Sequence, residues 1–181
     1  LYRTTAGTFY GTENHRVLQY GTKIQAKDAD SIDIAVGPHF IPKQFNSEAI
    51  MDGLLIGDGT FHKASNRILL EIGANDQDYF TDPDIKDRII QKYSAGKYTW
   101  IVDHNLTSHD LPHTYKREIP TRYLYGEPEI VASFLRGLYA ANGSVCGERI
   151  TLKATSFKLI EQVQQMLSSL GIHSYYTTNQ S

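Results

Sequence analysis

Two short sites in this sequence carry oxygen side chains that chemistry can use: Gly57-Asp58-Gly59 and Ala141-Asn142-Gly143. Each closes a stretch with small residues four apart, Gly53 with Gly57 and Gly137 with Ala141. Side chains at i and i+4 share one helix face, so two such faces let two helices approach until their backbones nearly touch. Under a twofold relation the helices run side by side in one direction, and Asp58 and Asn142 meet at their C-terminal ends. Paired oxygen side chains at that point suit a hard cation such as Mg²⁺ (or Mn²⁺). The carbonyls of Gly57 and Ala141, left free where the helices end, would add further oxygen ligands. Basic residues lie close by. Lys63, Arg67, Arg149 and Lys153 fall in or beside two strand pairs, with Ser65, Asn66 and Thr151 among them. Such groups grip phosphates and reach base edges, which makes double-stranded DNA the expected partner. A single Gly-Asp-Gly after a helix is usually only a turn, and basic residues in hairpins are commonly solvated edges. The repetition of the whole arrangement is what raises both above that reading.

The elements that must position these residues also come twice. In the first half, Asn46 or Ser47 caps a helix carrying Ile50, Met51, Leu54 and Leu55 at helical spacing. Thr60-Phe61 and Arg67 to Ile72 follow as a hairpin, Pro83 opens a second helix through Ile85, Ile89 and Ile90, and Lys97 to Val102 reads as a strand. In the second half, Pro128 opens a helix with Ile130, Val131, Phe134, Leu135, Leu138 and Tyr139 on one stripe. Ser144-Val145 and Arg149 to Ala154 give the matching hairpin. Phe157 to Leu170 is an amphipathic helix stopped by Gly171, and His173 to Thr177 reads as a last strand. Asn142 stands 84 positions after Asp58 (142 − 58), and Gly53 to Phe61 aligns with Gly137 to Val145 at that same offset. The expectation is an α+β domain over residues 43–181 with two related halves, about 45–105 and 127–178, whose hairpins form a β-saddle.

Residues 1–42 read differently. Thr8 to Tyr10, Arg16 to Tyr20 and Lys23 to Gln25 are short strand-like runs broken by glycines, with a tight hairpin at Gly21-Thr22. Gly37-Pro38 and Pro42 read as a connection. This all-β segment is too short to close a core alone. The 181 residues are 40% hydrophobic and 21% charged, ordinary for a globular chain, with a net charge of −2. A protein coated in positive charge is excluded, so any DNA-binding basic groups must share one surface. No run is long enough to span a membrane. The lone Cys146 rules out an internal disulfide framework. The expected setting is cytoplasmic or nucleoid-associated, and the expected state a monomer that is internally a pseudo-dimer.

These motifs resemble the LAGLIDADG homing endonucleases, in the form carried inside inteins. Met51 to Gly59 is similar to the first family motif, and Phe134 to Ser144 to the second. Lys116-Arg117-Glu118-Ile119-Pro120 is similar to the basic segment that precedes the second motif in that group. At the N-terminus, Gly11 to Leu18 resembles an intein splicing (Hint) block, in which His15 would activate the splice-junction amide and Thr12 would position it. The resemblance implies hydrolysis of DNA phosphodiesters with divalent metal at a long target site, and a host protein interrupted by the intein. It makes Asp58 a metal-binding acid, Asn142 its partner in the second motif, and Arg117 or Lys116 the basic group that supports the transition state.

The sequence departs from the family pattern in three places. Asn142 stands where the family has an acid, so one negative charge is lost from the metal pair. A degenerate module that binds DNA but cleaves weakly, nicks one strand or does not cleave is therefore the alternative. Leu1 stands where a splicing nucleophile would, and Gln180-Ser181 where a His-Asn pair would, so the expectation is a non-splicing intein fragment. The second half also stops one strand after its last helix. Outside the resemblance, Asp103-His104, His109-Asp110 and His113 are the one His-rich cluster. They lack the rigid spacing of a zinc site, and read as a polar loop near DNA. Cys146 reads as a small filler.

Overall fold

The computed structural model describes residues 1–4, 7–33, 39–73, 81–94 and 98–177. The expectations placed on Gly37-Pro38, Lys97 and Gln180-Ser181 fall outside those residues. The chain is mixed α+β, with four α-helices and small antiparallel sheets among the described residues. No helix there is long and apolar enough to cross a membrane.

Two helices form its axis. Helix α1 spans Ser47–Asp58, with the Asn46 side chain accepting from the Ala49 amide at its start and Gly59 as its C-cap. Helix α3 spans Pro128–Asn142, with proline in its first turn and Gly143 as its C-cap. They touch through backbone. A Cβ added at Gly53 would strike the carbonyl oxygen of Phe134 and lie 3.0 Å from the Leu138 amide nitrogen. One added at Gly137 would strike the carbonyl of Ile50 and lie 2.9 Å from the Leu54 nitrogen. Phe134 and Leu138 are Ile50 and Leu54 moved by the same 84 positions that relate the two glycines. The contact is therefore reciprocal and the helices parallel. Around it sits the core: Ile50, Leu54, Leu55, Phe134 and Leu138, extended by Trp100, Ile85, Leu159 and Met166, all buried.

Each helix runs directly into a ribbon. Strands β5 (Gly59–His62) and β6 (Arg67–Ile72) pair antiparallel, and β7 (Ile89–Ser94) and β8 (Tyr98–Val102) extend them into a sheet of order β5-β6-β8-β7. In the second half, β9 (Gly143–Cys146) pairs with β10 (Arg149–Leu152) as a two-stranded ribbon. Helix α4, Phe157–Ser169, follows with Ser156 as its cap. Before α1, β1 (Tyr2–Thr4) pairs with β2 (Gly7–Phe9), and β3 (Arg16–Gln19) with β4 (Thr22–Gln25). The turn joining β3 to β4 puts Tyr20 at φ 50° and Gly21 at φ 74°, the left-handed pair that matches strand twist. This segment leans on α4, where the Phe40 amide donates to the Leu170 carbonyl at 3.1 Å. A short helix α2, Thr121–Leu124, enters α3.

Two expected elements are absent among the described residues. The helix expected from Pro83 is a short 3₁₀ turn at Lys86–Arg88 followed by strand β7. The Asp82 side chain accepts from the Asp84 amide at 2.9 Å, which makes a turn, and Asp82 and Asp84 both reach Arg136 on α3. β-Branched Ile89 and Ile90 then suit the sheet. Spacing alone does not separate these outcomes, because 85, 89 and 90 fit a turn-plus-strand as well as a helix. The strand expected at His173–Thr177 is also not formed. That stretch lies along α4, with Gln164 Nε2 donating to the Ser174 carbonyl at 3.0 Å and Phe157 set edge-on to Tyr176. Among the described residues the internal repeat thus holds for helix and hairpin and not beyond.

The glycine contact predicts a steep cost for one carbon atom. Gly53→Ala or Gly137→Ala should each lower unfolding free energy by about 3 kcal/mol or more, the upper end of core overpacking. Gly147→Ala, at an open hairpin turn, should cost only the ~1 kcal/mol of a positive-φ glycine. Urea melts of the three variants check the ranking.

Candidate functional site at the paired helix ends

The close approach brings the ends of α1 and α3 together. Ala141 Cβ and the Asn142 side-chain amide lie over Gly57, with Asn142 Nδ2 3.5 Å from where a Gly57 Cβ would stand. Asp58, one residue on, is exposed. The structure thus sets Gly57 against Ala141 and Asn142, with Asp58 the next residue in the chain.

Arg117 joins them from a loop. Its Nη1 donates to the carbonyls of Ile56 and Gly57, both at 2.7 Å, and its Nη2 to that of Gly59 at 2.6 Å. The Gly57 carbonyl is therefore not free, contrary to the expectation that the helix end leaves it so. Helix C-termini concentrate partial negative charge, and two parallel ends concentrate more, so a cation is drawn to this point. Burial pushes the Arg117 pKa below the ordinary arginine value, and the Asp58 carboxylate opposes that shift. The group stays charged. Its Nε is buried without a hydrogen-bond partner. The backbone that delivers it is tied to the second half. Ser156 Oγ donates to the Arg117 carbonyl at 2.5 Å, and the buried Gln162 Oε1 accepts from the Ile119 amide at 2.7 Å. Lys116, at the end of a 3₁₀ turn, is exposed.

A second buried node lies one turn inside α1. Asp52 is fully buried and accepts from Tyr123 Oη at 2.5 Å, the Asn105 amide at 3.1 Å and Arg122 Nη2 at 3.3 Å. Desolvation raises its pKa, and the hydrogen bonds only partly offset it. Sequence reasoning missed Asp52, Arg122, Tyr123, Ser156 and Gln162. An acid inside the apolar run Ile50 to Ile56 and a serine three residues before Leu159 were the available signals.

The ribbons sort the basic residues by face. Antiparallel partners share a face, so Thr60 and Leu69, and His62 and Arg67, lie opposite the core-facing Gly59, Leu70, Phe61 and Ile68. In the second ribbon Ser144 with Thr151 and Cys146 with Arg149 share one face, and Lys153 continues that alternation past the strand. Thr151 bonds Ser144 Oγ at 2.8 Å. Lys63 and Asn66 are exposed in the β5–β6 loop, where Asn66 has φ 52°. A groove beside that loop is lined by Asn66, Arg67, Gln91, His104 and Thr107, which sets part of the His-rich stretch beside the first ribbon. Asp103 pairs with Arg88 at 2.8 Å, and Asp110 caps the Thr107 amide at 2.7 Å. Cys146 is exposed at the ribbon tip and fills no gap in the core, so the small-filler reading does not hold.

The second helix, its cap, its ribbon and α4 now carry a family signature. Residues 129–181 match the LAGLIDADG-like domain family. None of the curated proteins matches the chain. The LAGLIDADG-like match covers α3, β9, β10 and α4, and supports a homing-endonuclease, DNA-binding relationship for that half. The reciprocal 84-residue contact ties α1 and its ribbon to it. Thr12 and His15 lie together in one exposed turn before β3, the His15 amide donating to the Thr12 carbonyl at 3.0 Å.

A divalent metal is what this kind of fold implies, and the donor set decides whether these residues suit one. The helix ends offer one carboxylate and one amide side chain, and the α1 carbonyls are already held by a guanidinium. Among the described residues no group of three His, Cys, Asp or Glu side chains is placed to bind a metal. As arranged, the residues do not fit a Mg²⁺ site.

The raised Asp52 pKa fixes a sign. A carboxyl whose folded pKa lies above its unfolded 3.8 contributes stability that is full below 3.8 and is lost as pH rises through the folded value. The stability of the parent chain relative to Asp52→Asn should therefore grow as pH falls from 7 toward 4. Denaturant melts across that range measure it.

Proposed function

We propose that the chain is the DNA-binding and cleaving domain of an intein-type homing endonuclease, seating duplex DNA on the outer faces of its two ribbons. The observation that carries this is the reciprocal Gly53–Gly137 contact. It joins the LAGLIDADG-like half to a matching first half and aims both helix ends at one point between the ribbons. Arg67 on one ribbon, and Arg149, Thr151 and Lys153 on the other, supply phosphate and base contacts. Lys63 and Asn66 extend the first ribbon at its loop. Lys116 is exposed for a phosphate, and Asp58 is the carboxylate positioned to orient or deprotonate an attacking water. The target would be read as two unlike half-sites, because the two faces carry different side chains. The intein assignment rests on Thr12, His15 and the Lys116 to Pro120 segment, and Mg²⁺ or Mn²⁺ dependence rests on resemblance to the family. Residues 1–42 are read as the splicing-domain segment and 43–181 as the endonuclease domain.

A second reading, DNA binding without cleavage, is favoured by Asn142. An amide brings no charge to the helix ends, and Arg117 already sits on their carbonyls.

Selection from a random duplex library tests the common ground. The expected result is one enriched motif with two half-sites. Arg67→Ala and Arg149→Ala should each weaken binding and lower the salt slope of log K by about 1. No enrichment at low salt would refute both readings. A supercoiled plasmid carrying the selected motif then separates them: linear or nicked product with Mg²⁺ or Mn²⁺ supports cleavage. Product from Asn142→Asp alone supports a disabled site.

A further inference from the structure

The arrangement around Arg117 goes further than a basic residue near a scissile phosphate. Its guanidinium occupies the place where a cation would sit, bridging the carbonyls of Ile56, Gly57 and Gly59 at the end of α1, on either side of Asp58. We propose that Arg117 is the resident cation of the paired helix ends, and that in the DNA-free protein it keeps divalent cations off them. This deepens the endonuclease reading by naming how its site is regulated.

Three features support it. The seat is made of oxygen acceptors: the carbonyls of Ile56, Gly57 and Gly59, with the Asp58 carboxylate close enough to act on the guanidinium's charge. Those are hard-cation ligands, and they are filled by a guanidinium. The seat also leaves the buried Nε of Arg117 with no partner, so it satisfies the Nη pair and not the whole fork. Finally, the main chain is fastened at the Arg117 carbonyl by Ser156 and at the Ile119 amide by Gln162. The guanidinium can therefore leave by rotating its own side chain while its base stays fixed. Carbonyl oxygens are weaker guanidinium partners than a phosphate, which accepts two parallel charge-assisted bonds. A DNA phosphate reaching this point would draw Arg117 off and release the oxygens it covers.

The test needs no DNA, so its failure leaves the DNA-binding reading standing, and the failure of that reading leaves this one measurable. Mn²⁺ is titrated into the full chain, Asp58→Asn, Arg117→Met and the double variant Arg117→Met/Asp58→Asn, and free Mn²⁺ is followed by its paramagnetic resonance signal. Thermal melts establish that each variant is folded. The native chain should show no Mn²⁺ binding that Asp58→Asn removes. Arg117→Met should bind at least about tenfold more tightly than the native chain, since a positive charge leaves and oxygens are freed. The double variant should return to the native level. Asp58-dependent binding by the native chain overturns the proposal, and this arm decides even if Arg117→Met does not fold. A folded Arg117→Met that gains no Mn²⁺ binding overturns it equally.

Discussion

Backbone touching backbone, at Gly53 on α1 and Gly137 on α3, is the constraint on which everything else in this chain depends. Neither position has room for a methyl group, and each faces the counterpart of what the other faces. Interiors are close-packed and yield little to added volume. The helices are thereby fixed in distance, direction and register at once. Because each helix passes into a β-strand at its very next residue, the same contact places both ribbons. Because the helices are parallel, it also stacks two partial negative charges at one end. The site follows from the interface.

The parts between the halves are held by polar groups that the interface buries. Asp52 ties α1 to Asn105, Arg122 and Tyr123, while Ser156 and Gln162 tie the Arg117 to Ile119 segment to α4. A buried carboxylate is costly unless its oxygens are bonded, and Asp52 takes three donors from a connection that has little regular structure. The long link from β8 to α3 is thus ordered by buried side chains from both halves, Asp52 and Gln162 accepting from it and Ser156 donating to it. Arg117 sits at the centre of that link, where its main chain belongs to α4 and its side chain to α1.

What was legible in the sequence was whatever repeats locally. The small residues four apart, the cap at Asn46, the first-turn Pro128, the apolar stripe of α3 and the two hairpins all follow from rules that span a few residues. The helix expected at Pro83 failed because Asp82 and Asp84 are drawn to Arg136, more than fifty positions away, which no local period encodes. The strand expected at His173 failed because that stretch instead follows α4, where the Gln164 side chain takes up the Ser174 carbonyl. Asp58, Asn142 and Arg117 were visible as types and spacing. Their mutual arrangement was not, since the guanidinium reaches carbonyls about sixty positions distant. The buried partners of Asp52 were hidden for the same reason.

The two halves are alike at the interface and unlike at the tips. Ile68 in the first ribbon, on the core face of a four-stranded sheet, is 4% exposed, whereas Ile150 at the related place in the second is 72% exposed. The common frame between them has no slack, since the glycine contact admits neither sliding nor separation. For any duplex laid across both ribbons, that frame is a ruler of fixed length and fixed phase. One extra base pair between the half-sites would carry the second about a tenth of a turn around the helix axis, and the protein has no joint with which to follow it.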